Sequence, residues 1–188
     1  MKKALVIIDF INDIVDLNGK IPSCAQQVID NNTIENANRS ILWAQSQHIP
    51  CIYIKVGFHN NYLDLPLHSP MFGKAQSINA LNLNDWGTQF HQNLLIGKDD
   101  IVITKPRVNP FHNTQLDSVL SANKITDIYF CGVSTTWAIQ SAARDAHDRD
   151  YRVHIIADAC TAATEEEHNI SLTTLSRIAT IHQSTDVK

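Results

Sequence analysis

Short continuous runs of apolar residues alternate along this chain with longer segments in which apolar residues recur every three or four positions. Residues 4–8 (ALVII) read as a strand buried on both faces. Asn32, with Glu35 three positions on, reads as a capping box. Ile34, Ala37, Ile41 and Ala44 then share one face of a helix running to about residue 48, which Pro50 ends. Further strands are predicted at Cys51–Val56 and at residues 101–104, 125–131, 153–157 and 178–181. Between them, Thr114 with Asp117 opens a short helix and residues 134–148 carry a longer one. Thr164 followed by Glu165, Glu166 and Glu167 is a second capping box, opening a helix to about residue 176.

Alternating strands and helices predict a three-layer α/β/α fold around an open, mostly parallel sheet of about six strands, in a single domain over residues 1–188. Residues 57–100 break the rhythm. They carry Gly, Pro, Asn and His with little periodicity, and a long irregular segment inside a compact domain is usually functional, often a lid or a subunit contact.

Open parallel sheets bind ligands at the carboxyl ends of their strands. Asp9 follows the first predicted strand, Lys105 the third, and the turn Gly132-Val133-Ser134-Thr135-Thr136-Trp137-Ala138 the fourth. A carboxylate, an ammonium and a helix N-terminus therefore fall on one edge, the last offering backbone N–H groups to an anion. On spacing alone, each has a plain alternative: a turn aspartate, a solvated rim lysine, ordinary α/β punctuation.

Composition narrows the function classes. With 44% hydrophobic and 18% charged residues the chain can bury a core, which argues against disorder. A net charge of −4 leaves no basic excess for nucleic acid, and no apolar run approaches the roughly 20 residues that cross a bilayer. The apolar run after Met1-Lys2-Lys3 meets Asp9 too early for a signal peptide. Cys24, Cys51, Cys131 and Cys160 form no C-x-x-C pair and read as reduced thiols of a cytoplasmic protein.

Several segments together resemble the isochorismatase-like hydrolases, the superfamily that includes nicotinamidases and N-carbamoylsarcosine amidohydrolase. The matching pieces are Ile7-Ile8-Asp9-Phe10-Ile11-Asn12-Asp13, Lys105-Pro106-Arg107-Val108-Asn109-Pro110-Phe111, Gly132-Val133-Ser134-Thr135, Ala142-Ala143-Arg144-Asp145-Ala146 and Asp158-Ala159-Cys160. They run in family order over nearly the whole chain. The resemblance implies that Asp9 is an acid/base aspartate and Lys105 its partner. It also implies a cis peptide at Val133–Ser134, an oxyanion hole from the backbone N–H groups of Ser134 and Ala138, and a homo-oligomer (dimer or tetramer). Many members carry a nucleophilic cysteine six residues after the turn glycine; that position here is Ala138. A methyl group carries no acyl intermediate.

True isochorismatases resemble this chain in lacking that cysteine; they cleave an enol ether with an aspartate as general acid. A small carboxylated substrate would suit Lys105, Arg107 and the helix N-terminus together. Phe10, Arg107, Phe111, His112 and Trp137 are expected to line the pocket. His59, Asp64 and His68 lack the Asp-x-His pair of metal-dependent relatives, so no metal and no cofactor are expected. His168 is expected to make a structural hydrogen bond, and Arg144, Asp145, Asp148 and Arg149 to form a solvated face. Three readings stand: a hydrolase acting through Asp9 and Lys105 without a thiol, a non-catalytic ligand-binding relative, and an amidohydrolase with a relocated nucleophile.

Overall fold

A run of five apolar residues, three of them β-branched or flanked by β-branched neighbours, has nowhere to go but the centre of a sheet. The computed structural model describes residues 1–187 and places β1 at Lys3–Ile8, with residues 4–8 fully buried. Parallel partners flank it on both sides, β2 (Cys51–Val56) and β4 (Asp127–Val133). β3 (Ile101–Lys105) extends the sheet beyond β2; β5 (Arg152–Thr161) and β6 (Thr180–His182) extend it beyond β4. The order is β3-β2-β1-β4-β5-β6, with every pairing parallel, so the expected α/β fold is the one formed. The chain reverses its direction of travel across the sheet between β1 and β4, and the crevice of such a fold opens above that reversal.

The helices are α1 (Asn12–Val15), α2 (Ala25–Asp30), α3 (Thr33–Ser46), α4 (Leu116–Ala122), α5 (Gln140–Asp148) and α6 (Glu165–Leu175). α3 buries Ile34, Ala37, Ile41 and Ala44, the face its period predicts. Trp43 of α3 packs on Tyr129 of β4, with ring centroids 5.0 Å apart. Right-handed crossovers carry α4 and α5 to the other face. Between β4 and α5, residues Thr135–Ile139 form a π-helical turn, so the helix expected from residue 134 begins wider than an α-helix.

Thr164 caps α6 as its pattern predicts, accepting from the Glu167 N–H at 3.2 Å. Asn32 does not cap α3. It sits in the left-handed region (φ 49°) because α2, unforeseen in the sequence, runs directly into the junction. Thr114 lies ahead of α4, donating to the Pro110 carbonyl and accepting from Leu116 N–H. β5 outruns its predicted end by four residues, continuing past a register shift against β4.

Residues 57–100 contain only two short 3₁₀ turns, Gln76–Ile78 and Trp86–Thr88. Their order comes from a second, smaller apolar cluster of Phe58, Tyr62, Leu65, Phe72, Ala75, Ala80 and Leu81 against Ile11 and Val56. Phe58 is fully buried and meets Phe72 edge-on at 5.5 Å. A packed core without regular hydrogen-bond ladders leaves no period to read.

Across β4, β5 and β6, His154 stacks on Tyr129 at 4.3 Å and its Nδ1 lies 3.0 Å from His182 Nε2. Burial holds both imidazoles below their usual 6.5, overriding Asp127 beside His154 and Asp186 near His182. Neutral rings in the fold and protonated rings in the unfolded chain cost stability once pH drops below about 6.5. Denaturant unfolding at pH 7.5 and 5.5 is expected to show a loss of about 1 kcal/mol that His154→Phe lessens; an unchanged pH slope in that variant would show that the pair is not the source.

Candidate active site

Asp9 is the first residue past β1, and it leaves the strand in the left-handed region (φ 58°). Its own N–H still donates to the Ile54 carbonyl at 2.9 Å, which fixes the backbone while the side chain turns across the strand ends. Oδ1 accepts from the Val56 N–H at 2.7 Å. Oδ2 lies 2.7 Å from Nζ of Lys105, the last residue of β3. Lys105 is in register with Val56 on β2, so the ion pair reaches over the end of the intervening strand. Nζ also donates to the Arg107 carbonyl at 3.3 Å.

Both charged residues are buried, Asp9 at 3% exposure and Lys105 at 1%. Desolvation penalises the ionised carboxylate more than Lys105 and the Val56 N–H favour it, so the Asp9 pKa stands above the usual carboxylate value. An acid that keeps its proton to higher pH is what proton donation needs.

The third contribution comes from the turn after β4. Gly132 has φ 134°, and a side chain there would put a Cβ 2.1 Å from the Ile8 carbonyl oxygen. Only glycine lets β4 end this close to β1. The Val133–Ser134 peptide is cis, as the resemblance implies. Ser134 then caps the π-helical turn, its hydroxyl accepting from Trp137 N–H at 3.3 Å. The turn brings Ala138, buried at 3% exposure, to the cavity, and Thr135 Oγ1 meets His168 Nδ1 at 2.8 Å, the structural bond expected of that histidine.

Asp9, Lys105, Val133, Ser134, Trp137 and Ala138 border one cavity of about 310 Å³. Ile14, Ile21, Val56 and Val108 add apolar wall, the second core supplies Phe72 and Leu81, and the exposed Met71 lies at the rim. Residues 57–100, expected as a lid or subunit contact, thus form one side of the pocket. Larger surface clefts near Met1 and Asn123, and near Leu17 and His91, bring together no comparable set of groups.

Of the expected lining, Trp137 is present and 56% exposed. Phe10, Arg107, Phe111 and His112 are not among the residues bordering the cavity. Phe10 is fully buried in the main core. Arg107 turns to the carbonyls of Asp64 (3.0 Å) and Pro106 (2.6 Å). Phe111 stacks on Tyr151 beneath the Arg149 guanidinium, and His112 is exposed beside Asn113. For Phe111 and His112 the cause is Asn109, whose amide donates to Asp145 of α5 at 2.5 Å and draws residues 109–112 away from the crevice. Asp145, expected on a solvated face, is therefore a tether, and it also holds Arg149 at 2.5 Å.

Two contributors were given no role by motif reading. Asp13 is 1% exposed; its carboxylate accepts from the N–H groups of Lys20 (3.1 Å) and Leu81 (2.7 Å), and its carbonyl from Ile21 (3.0 Å). One buried residue thus fixes two of the cavity walls, and a Cβ on Gly87 would meet its carboxylate at 2.3 Å. The available signal is an acidic residue at an inward phase between Ile11 and Ile14. Cys24, at 1% exposure, is the only cysteine bordering the cavity. Burial pushes its thiol up to about 11; Cys160, in the sheet, stands at about 12.

His59 pairs with Asp64 at 3.3 Å, and among the described residues no three His, Cys, Asp or Glu side chains converge as metal ligands. No helix among them is long and apolar enough to cross a membrane.

Residues 3–186 match the model of the isochorismatase domain family. The chain is 28% identical over 183 residues to the ureidoacrylate amidohydrolase RutB of Acinetobacter baylyi, covering 90% of this chain and 75% of that protein. It is 30% identical over 172 residues to YecD of Escherichia coli O157:H7, an uncharacterized isochorismatase family protein, covering 90% and 85%. Its fold superposes on a cysteine hydrolase from Pseudomonas syringae pv. phaseolicola with a TM-score of 0.87 at 21% identity, over 98% of this chain and 90% of the other. With the sheet order, the crevice and the matched span in agreement, the chain belongs to the isochorismatase family, within the isochorismatase-like hydrolase superfamily.

Proposed function

We propose that the chain hydrolyses a small molecule with Asp9 as proton donor, Lys105 as its partner and no protein thiol at position 138. The observation that carries this reading is the buried 2.7 Å Asp9–Lys105 pair sharing one cavity with Ala138. Isochorismatase-type enol-ether cleavage suits it. Asp9 gives its proton to the vinyl carbon, water adds to the resulting oxocarbenium ion, and the hemiketal collapses to an alcohol and a carbonyl compound. The proton released by the water returns to Asp9. No step needs a protein nucleophile. Lys105 orients Asp9; an oxyanion hole from the backbone N–H groups of Ser134 and Ala138 would serve amide hydrolysis instead, where negative charge develops on oxygen.

A second reading draws on the place of Cys24 in the cavity: amide hydrolysis with a relocated thiol, the reaction class in the name of the Acinetobacter relative. A thiol held at about 11 is ionised to about one part in ten thousand at pH 7, which weighs against it. The methyl group of Ala138 keeps a third reading, ligand binding without turnover, in view.

An NMR-followed panel of enol ethers and primary amides separates these readings. Turnover is expected to fall at least about 100-fold in Asp9→Asn; ligands that bind wild type without any conversion would favour the non-catalytic reading. Because the protonated Asp9 is the working form, the wild-type rate is expected to hold at low pH and decline as pH rises through the raised Asp9 pKa. A rate that climbs instead through neutrality would assign Asp9 the role of base.

Cys24→Ser is expected to keep measurable turnover, whereas a nucleophilic Cys24 would lose several orders of magnitude. Ala138→Cys is expected to create a thiol with a pKa below the usual value, read by thiolate absorbance, since it would sit at a helical N-terminus. A thiol there that titrates like free cysteine would show that position 138 is not the nucleophile's place.

A further inference from the structure

We infer that the cavity takes an uncharged ligand with an apolar body, such as a neutral enol ether or amide carried on a ring, and selects against its carboxylated counterpart. This rests on the hydrolase reading above and names its substrate class. Among the described residues bordering the cavity, Asp9 and Lys105 alone carry charge at neutral pH. At 2.7 Å they cancel one another. As an ion pair the two sum to zero, so in that form the site presents no net positive charge to an anion.

The neighbouring cations are already committed. Arg107 donates to the carbonyls of Asp64 and Pro106. Lys20, beside the Ile21 wall, donates to Asp85 at 2.6 Å and to the Asn79 carbonyl at 2.7 Å. A carboxylate entering the cavity would exchange its water for Ile14, Ile21, Phe72, Leu81 and Val108, none of which offers a side-chain donor. It would also compete with Asp9 for Lys105, leaving two like charges about one cation unless a proton is taken up. An uncharged ligand meets neither cost. Its apolar body covers those walls, and its polar group meets Asp9 and the Ser23 and Ser134 hydroxyls. Of the carboxylate anchor expected from Lys105, Arg107 and the helix N-terminus, the two side chains are in this way withdrawn by the ion pair and by the turn of Arg107, leaving the helix N-terminus alone.

Two matched pairs test the inference on the full chain: benzamide with benzoate, and phenyl vinyl ether with 2-phenoxyacrylate, the same enol ether carrying a carboxylate. Binding is titrated at pH 7.5 through the indole N–H signal of Trp137, assigned with Trp137→Phe, which locates the ligand at this cavity. The uncharged member of each pair is expected to bind at least about tenfold more tightly. Equal or tighter binding of the carboxylates, or no shift of the Trp137 signal by either neutral probe, overturns the inference. Conversion is followed in the same samples. Neutral probes that bind but are never hydrolysed would sink the hydrolase reading and leave the ligand class standing, so the two failures are told apart.

Discussion

A buried ion pair between the ends of two non-adjacent strands organises this molecule. Asp9 of the β1 end and Lys105 of the β3 end meet over β2, whose Val56 N–H supplies the second hydrogen bond to the carboxylate. Taking two charges out of water is unfavourable, and their attraction offsets this only if the geometry is held by neighbours. Here the holding is done by a sheet whose central strand is fully buried and whose strand ends are set by register. The same burial that makes the pair costly raises the Asp9 pKa, so the structural expense and the proposed chemical use have one origin.

The rest of the crevice is arranged about that pair by two close backbone approaches. Gly132 lets the end of β4 come against Ile8, and the π-helical turn that follows presents Ala138 to the same cavity as Asp9. Asp13, a few residues beyond Asp9, gathers the loops carrying Ile21 and Leu81 and so sets the opposite walls. The charged edge and the apolar walls are therefore built from one short stretch, residues 9–14, and from the parts of the chain that bond to it.

How much of this could be read from the residues depended on whether the signal was local. The strands were legible because a continuous apolar run or a β-branched cluster is visible within a few positions, and five of the six ends that matter came out within about two residues. Thr164 was legible as a cap because its partner lies three residues away. Asn32 carried the same pattern and failed, since the preceding helix α2 forced it into the left-handed region. Phe10, Phe111 and His112 looked like pocket residues because they neighbour Asp9 and Lys105 in sequence. Phe10 packed into the main core, and Asn109 binding Asp145, 36 residues away, turned the segment carrying Phe111 and His112 elsewhere.

Sequence alone determined the parallel α/β sheet, the strand-end positions of Asp9 and Lys105, and the methyl group at position 138, because each is set by residue identity and short-range period. Tertiary structure decided the character of the pocket. Residues 57–100 have no period, and they become a wall only through a small apolar cluster and through hydrogen bonds to a buried carboxylate far away in the chain. The charge balance is equally a matter of three dimensions. Lys105 is a cation by identity, but its being spent on Asp9, with Arg107 spent on two carbonyls, follows from distances that no spacing encodes.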